Sequence, residues 1–110
     1  LEARRMSLHR KLLEREAAGR PIRVGLIGAG KFGSMFLAQV PRTPGMHVVG
    51  IADLSPAGAQ RNLARVGWEA GRAEATSLDA ALGSGRATHV SDDWQALVAH
   101  PAIDVVVECT

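Results

Sequence analysis

Gly28, Gly30 and Gly33 stand in the run Ile22 to Gly33, IRVGLIGAGKFG, at a spacing suited to holding a pyrophosphate against bare backbone. In that arrangement Gly28 turns the chain tightly out of a strand, Gly30 leaves room for the phosphates, and Gly33 lets the next helix lie close on the sheet. The helix N-terminus then faces the negative charge. A carboxylate follows at the distance the same chemistry requires: Asp53 comes twenty residues after Gly33, placed to accept hydrogen bonds from an adenosine ribose.

A glycine triplet alone matches many turns by chance, so the flanking elements decide what it means. Before it, Ile22, Val24, Leu26 and Ile27 form an apolar, partly β-branched run of the kind buried in a parallel sheet. After it, Phe32, Met35, Phe36 and Val40 recur at helical spacing until Pro41, which predicts an inward helix face. His47 to Ala52 reads as a second strand ending at Asp53, and a second helix starts after Ser55 and Pro56, with Ala59, Leu63, Ala64 and Val66 toward the sheet and Gly67 at its end. A short helix over Leu78 to Leu82 lies within a surface excursion from Glu69 to Arg86. Thr88 to Ser91 forms a third strand. Asp92 or Asp93 caps a helix through Ala99, with Trp94, Leu97 and Val98 facing inward, and Pro101 breaks it. Ile103 to Cys109 is a fourth strand, apolar enough for the middle of a parallel sheet.

These elements predict an α/β fold of Rossmann type. It is the first part of a doubly wound parallel sheet, with four strands in the order 3-2-1-4 and the ligand crevice between the first and fourth. An N-terminal arm over residues 1–20 precedes it, with a helix from Ser7 to Ala18 marked by Leu8, Leu12 and Leu13, and the dinucleotide-binding domain occupies residues 21–110. The arm carries six of the thirteen Lys and Arg residues, so the formal net charge of +2 is concentrated there. Met6 is a candidate natural start. With aromatic content of only 4%, the arm does not read as a nucleic-acid-binding surface. Its short apolar stripe suits packing on the domain or on another subunit.

Composition is that of a soluble globular chain, 46% apolar and 22% charged, with no apolar run long enough to span a bilayer and no export signal. A cytoplasmic location is expected. Cys109 is the single cysteine, which excludes an internal disulfide and a cysteine metal cluster; at the end of an apolar run it reads as a small core residue. Histidines 9, 47, 89 and 100 are scattered, without metal-ligand spacing, and no bound metal is expected.

The stretches GLIGAGKFGSMFL, VVGIADLSP and IDVVVECT resemble the N-terminal domain of homoserine-dehydrogenase-like oxidoreductases that carry a C-terminal SAF domain. Within that group they are most similar to reductoisomerase-like enzymes that use NADPH to convert 1-deoxy-D-xylulose 5-phosphate in isoprenoid biosynthesis. The resemblance covers residues 7–110 and implies that Gly28, Ala29, Gly30, Lys31, Phe32 and Gly33 surround the pyrophosphate, with Asp53 near the adenosine ribose. It further implies that Cys109 and Thr110 lie beside the nicotinamide. Lys31 reads equally as a phosphate contact or a solvated first-turn lysine, and Glu108 reads as a strand-end residue or a buried polar group facing chain beyond Thr110.

Asp53 suits the ribose hydroxyls of NAD and would repel the 2′-phosphate of NADP, whereas the finer resemblance implies NADP. Both cofactors stay open, with Arg61 eight residues on as a possible compensating cation. No residue of the chain is obliged to transfer a proton, so no catalytic residue is assigned. The expected full-length protein is an oxidoreductase whose small-molecule substrate, and a divalent metal if the finer resemblance holds, bind to a domain after Thr110. A homo-oligomer is expected, and a fragment ending at Thr110 is expected to be inactive and to self-associate through its unpaired fourth strand. Homoserine dehydrogenase proper, a non-catalytic dinucleotide-sensing module and a methyltransferase are the alternatives.

Overall fold

In the computed structural model, residues 2–28 and 31–109 are described, with side chains for residues 10–28, 33 and 35–109. Four parallel strands form one sheet: β1 (Ile22–Ile27), β2 (Met46–Ala52), β3 (His89–Ser91) and β4 (Val105–Glu108), in the order β3-β2-β1-β4. This is the predicted 3-2-1-4 arrangement, and the fold is a Rossmann-type α/β fold. The β1–β2 ladder runs from Ile22 opposite Met46 to Ile27 opposite Ala52, with a register shift between Val24 and Gly25. On the other side Val24 to Ile27 pair with Val105 to Glu108.

β2 is buried from His47 to Ala52, as its β-branched, apolar sequence requires between two neighbours and two helical layers. Helix α1 (Glu2–Ala17) precedes the sheet, and the helices α2 (Lys31–Gln39), α3 (Pro56–Arg65), α4 (Leu78–Ser84) and α5 (Trp94–Ala99) flank it. Three begin at side-chain caps, of which the sequence offered Asp93 as one of two candidates. The oxygens of Ser55, Ser77 and Asp93 accept from the backbone N–H groups of Gly58, Ala80 and Ala96 at 3.1, 3.0 and 3.0 Å. Leu26, Leu37, Ile51, Leu63 and Leu97 are fully buried. The packing of α5 depends on two strand glycines: a β-carbon at Gly25 or Gly50 would lie 3.0 or 2.5 Å from Leu97 side-chain atoms.

Several expectations are corrected. α1 starts at Glu2 rather than Ser7, α4 extends to Ser84, and β3 and β4 are shorter than their apolar runs. Asp104 explains the late start of β4: its carboxylate accepts from Arg23 N–H at 2.9 Å and its own N–H donates to the Arg23 carbonyl at 2.8 Å, clipping the chain to β1. In α2 the core residue is Leu37, while Met35 is 66% exposed. In α5 only Leu97 faces inward; Trp94 and Val98 are about half exposed. The surface of α3 likewise includes Ala64. β4 lies at a sheet edge, and Val105 and Val106 are exposed.

Candidate functional site

The hydrogen-bond ladder continues one residue past the carboxyl ends of the strands. Gly28 N–H donates to the Ala52 carbonyl at 2.7 Å, Asp53 N–H to the Ser91 carbonyl at 2.8 Å, and Cys109 N–H to the Ile27 carbonyl at 2.8 Å. Residues distant in sequence are thereby set side by side on one edge of the sheet. Gly28 has φ of 86°, a conformation in which a β-carbon is strained, and it turns the chain from β1 toward α2. Gly33 then closes the turn: a β-carbon there would lie 2.6 Å from the Gly28 carbonyl oxygen and 3.7 Å from Cys109 Cβ. No other residue type brings α2 this near to β1.

Above these strand ends lies a cleft of about 800 Å³, lined by Gly28, Asp53, Leu54, Trp94, Val106 and Glu108 among others. Its walls are mainly apolar. Leu54 is 99% exposed, and Trp94 and Val98 present their outward halves to the same space. Apolar surface left open around a few polar groups is what a planar ligand with polar edges needs. The sequence reading missed Leu54 and misassigned Trp94 and Val98. Their signal was position, directly after the carboxyl ends of β2 and β3, and it outweighed helical periodicity.

Asp53 lies at the cleft wall with one carboxylate oxygen accepting from Ser55 N–H at 2.8 Å. This contact orients the carboxylate at the cleft wall. The Arg61 guanidinium reaches back to the first turn of α3, 3.6 Å from where a Gly58 β-carbon would be. Cys109 is partly buried and reduced, and burial pushes its thiol above the ordinary range, which suits a packing role better than a nucleophile. Glu108 is exposed and lines the cleft.

Of the predicted site residues, Gly28, Gly33, Asp53 and Cys109 converge on this edge. Lys31 and Phe32 open α2. Ala29, Gly30 and Thr110 lie outside the described residues. The geometry that is described fits a dinucleotide: a positive-φ glycine, a helix pressed onto it without an intervening side chain, and a carboxylate at the neighbouring strand end. The histidines have structural work elsewhere. His47 is buried and donates through Nε2 to the Ala87 carbonyl at 2.7 Å, His89 Nδ1 donates to the Ala75 carbonyl at 2.8 Å, and His100 Nε2 meets Asp79 at 2.9 Å. The His9 side chain lies outside those described. Among the described residues no three His, Cys, Asp or Glu side chains group as metal ligands, and no helix is long and apolar enough to cross a membrane.

This strand-glycine-helix edge with an acid on the next strand defines a dinucleotide-binding Rossmann domain. Residues 22–110 match the oxidoreductase family with an NAD-binding Rossmann fold, of the Gfo/Idh/MocA type, and the chain belongs to that family. Among solved structures it is similar to an NAD binding oxidoreductase from Klebsiella pneumoniae, at 22% identity and a TM-score of 0.48, over 82% of this chain and 21% of that one. The chain thus spans about a fifth of that protein's length. A search of curated proteins found no match. The family match gives no support to the narrower homoserine-dehydrogenase-like, SAF-domain or reductoisomerase-like resemblance.

Proposed function

We propose that this chain is the cofactor-holding part of an NAD-dependent oxidoreductase, in which hydride passes between the nicotinamide and a carbonyl or hydroxyl carbon of a small-molecule substrate. The observation that carries the reading is the convergence of Gly28, Gly33 and Asp53 at adjacent strand ends on one open, apolar cleft. When bound, the cofactor supplies the hydride chemistry; the protein supplies placement. The tight Gly28–Gly33 turn aims backbone N–H groups of the α2 N-terminus at the pyrophosphate. Asp53, oriented by Ser55 N–H, accepts from the ribose hydroxyls, and Trp94 with Leu54 shields the adenosine side from water.

Substrate recognition and proton transfer are assigned to chain beyond Thr110. The narrower homoserine-dehydrogenase-like and reductoisomerase-like assignments are not adopted, because the family match gives them no support. A homo-oligomeric, cytoplasmic enzyme completes the proposal, and the lone cysteine of these residues suits a reducing compartment.

Asp53 is the residue that separates NAD from NADP. Fluorescence titration with NADH and NADPH is expected to show saturable NADH binding that Asp53→Ala weakens by about tenfold or more, the loss of a charge-assisted hydrogen bond. NADPH binding is expected to hold or improve, since the repulsion of its 2′-phosphate is removed. An unchanged ratio of the two affinities in Asp53→Ala would remove this role from Asp53.

A further inference from the structure

A second cleft, of about 440 Å³, opens at the opposite end of the sheet from the strand ends described above. Its wall brings together Arg42, at the end of the 3-10 turn Val40–Arg42, Arg72, from the segment after α3, and Arg86, from the turn after α4. Buried His47 of β2 also lines it. Three arginines from separate segments lining one polar concavity concentrate positive potential where the low-dielectric protein focuses it.

The scaffold around the three arginines is well tied. Thr88 N–H donates to the Arg72 carbonyl at 2.9 Å and Ala75 N–H to the Thr88 carbonyl at 3.2 Å, joining the segment after α3 to the start of β3. The Thr43 hydroxyl donates to the Gln39 carbonyl at 2.9 Å, and Thr43 N–H to the Val40 carbonyl at 3.1 Å, which holds the turn that carries Arg42. The Arg72 guanidinium lies 4.7 Å from the centre of the Trp68 ring, and Trp68 is anchored in turn through its indole N–H on the Leu37 carbonyl at 2.9 Å.

That stacking leaves a deficit. Arg72 Nε is buried and has no hydrogen-bond partner among the described residues. Burial and then the nearby Arg86 charge lower the Arg72 pKa, against a smaller opposing effect of Glu69. Two acidic groups are close by. Glu69 accepts from Arg86 at 2.6 Å, but both side chains are more than 60% exposed, so solvent screens the pair; Glu16 of α1 stands on the cleft wall. An anion in the cleft, shared by Arg42, Arg72 and Arg86, would offset the like charge that Arg86 exerts on Arg72.

We propose that this cleft binds a phosphate or phosphomonoester dianion through Arg42, Arg72 and Arg86, at a site separate from the dinucleotide cleft. The proposal does not depend on the cofactor reading. The probes are inorganic phosphate and glycerol phosphate, titrated calorimetrically at constant ionic strength into the protein and into Arg42→Gln, Arg72→Gln and Gly30→Val. Inorganic phosphate is expected to bind with Kd below about 1 mM, and about tenfold or more weaker in each arginine variant, with Gly30→Val unaffected.

Tighter binding of glycerol phosphate than of inorganic phosphate would identify a phosphorylated small molecule as the natural occupant, and equal binding would identify a bare phosphoryl group; either supports the site. Because Arg42 is exposed and its replacement does not disturb the core, it decides the matter should Arg72→Gln fail to fold. No binding by the parent protein, equal binding by Arg42→Gln, or loss confined to Gly30→Val would overturn the proposal, the last by placing the anion at the glycine loop.

Discussion

At the carboxyl ends of the strands the wall is made by Leu54, Trp94, Val98 and Val106, apolar side chains left in the open around the carboxylates of Asp53, Asp92 and Glu108. At the amino ends it is made by Arg42, Arg72 and Arg86, set in the connecting segments, with His47 of β2 hydrogen-bonded to the Ala87 carbonyl between them. The first edge is assembled by the strand ladder, so its members are fixed wherever the strands stop. The second is assembled by connections, whose positions depend on how each loop packs. One sheet therefore carries two chemically opposed surfaces, the upper suited to a flat ligand with ribose hydroxyls and the lower to a compact anion.

Removing what the two ends share should have the largest effect. Leu97 packs over Gly25 and Gly50 in the middle of the sheet and is 2% exposed, so Leu97→Ala is expected to lower unfolding free energy by about 2–5 kcal/mol. Denaturant titration measures it, and a loss below about 1 kcal/mol would mean that α5 does not hold the sheet together. Gly33→Ala acts at the upper end alone. Its new β-carbon meets the Gly28 backbone at 2.6 Å, which is expected to cost about 1–3 kcal/mol and to abolish NADH binding, read by thermal melting and fluorescence titration.

Trp94→Ala sharpens the comparison by separating ligand from fold. Because the ring is half exposed, stability should change by less than about 0.5 kcal/mol. NADH affinity should fall about two- to tenfold, the loss of an aromatic contact. Equal losses in stability and affinity would show that Trp94 belongs to the core.

The smallest effect is a pH dependence at the lower end. Burial, then the charges of Arg23 and Arg72, hold His47 below its ordinary pKa of 6.5, despite an opposing hydrogen bond to Ala87. The unfolded chain therefore binds a proton that the folded chain resists. The contribution of His47 is fully present above 6.5 and is lost as pH falls from 6.5 toward the lowered folded value. Denaturant midpoints followed from about pH 8 to about pH 5 should decline more steeply for the parent protein than for His47→Gln. Parallel curves would show that His47 titrates as if unfolded.

Much of the upper site was legible because it is written locally. A positive-φ glycine after a strand, a glycine in the first helical turn and an acid at the next strand end are each set by a few neighbouring residues. The starts of α3 after Ser55 and of α4 at Leu78 were legible for the same reason, whereas the Ser77 cap went unread and Asp93 was one of two candidates. Helix faces were less so. In α2 the apolar residues Met35, Phe36 and Leu37 are consecutive, and which of them is buried depends on where the sheet lies. In α5 Trp94, Leu97 and Val98 share a periodicity that allows all three inside, yet the helix tucks only Leu97 over the strand glycines and turns the others to the cleft.

By itself the sequence determined the strand–glycine–helix start, the acid at position 53 and the 3-2-1-4 strand order, because backbone conformation and right-handed crossovers follow from short-range sterics. Only tertiary structure decided that Leu54, Trp94 and Val98 would line one cleft and that Arg42, Arg72 and Arg86 would line another at the opposite end of the sheet. Those residues lie as far as forty-four positions apart, and no local pattern relates them. Their proximity arises from how loops close over the ends of the sheet, a matter of packing among distant segments.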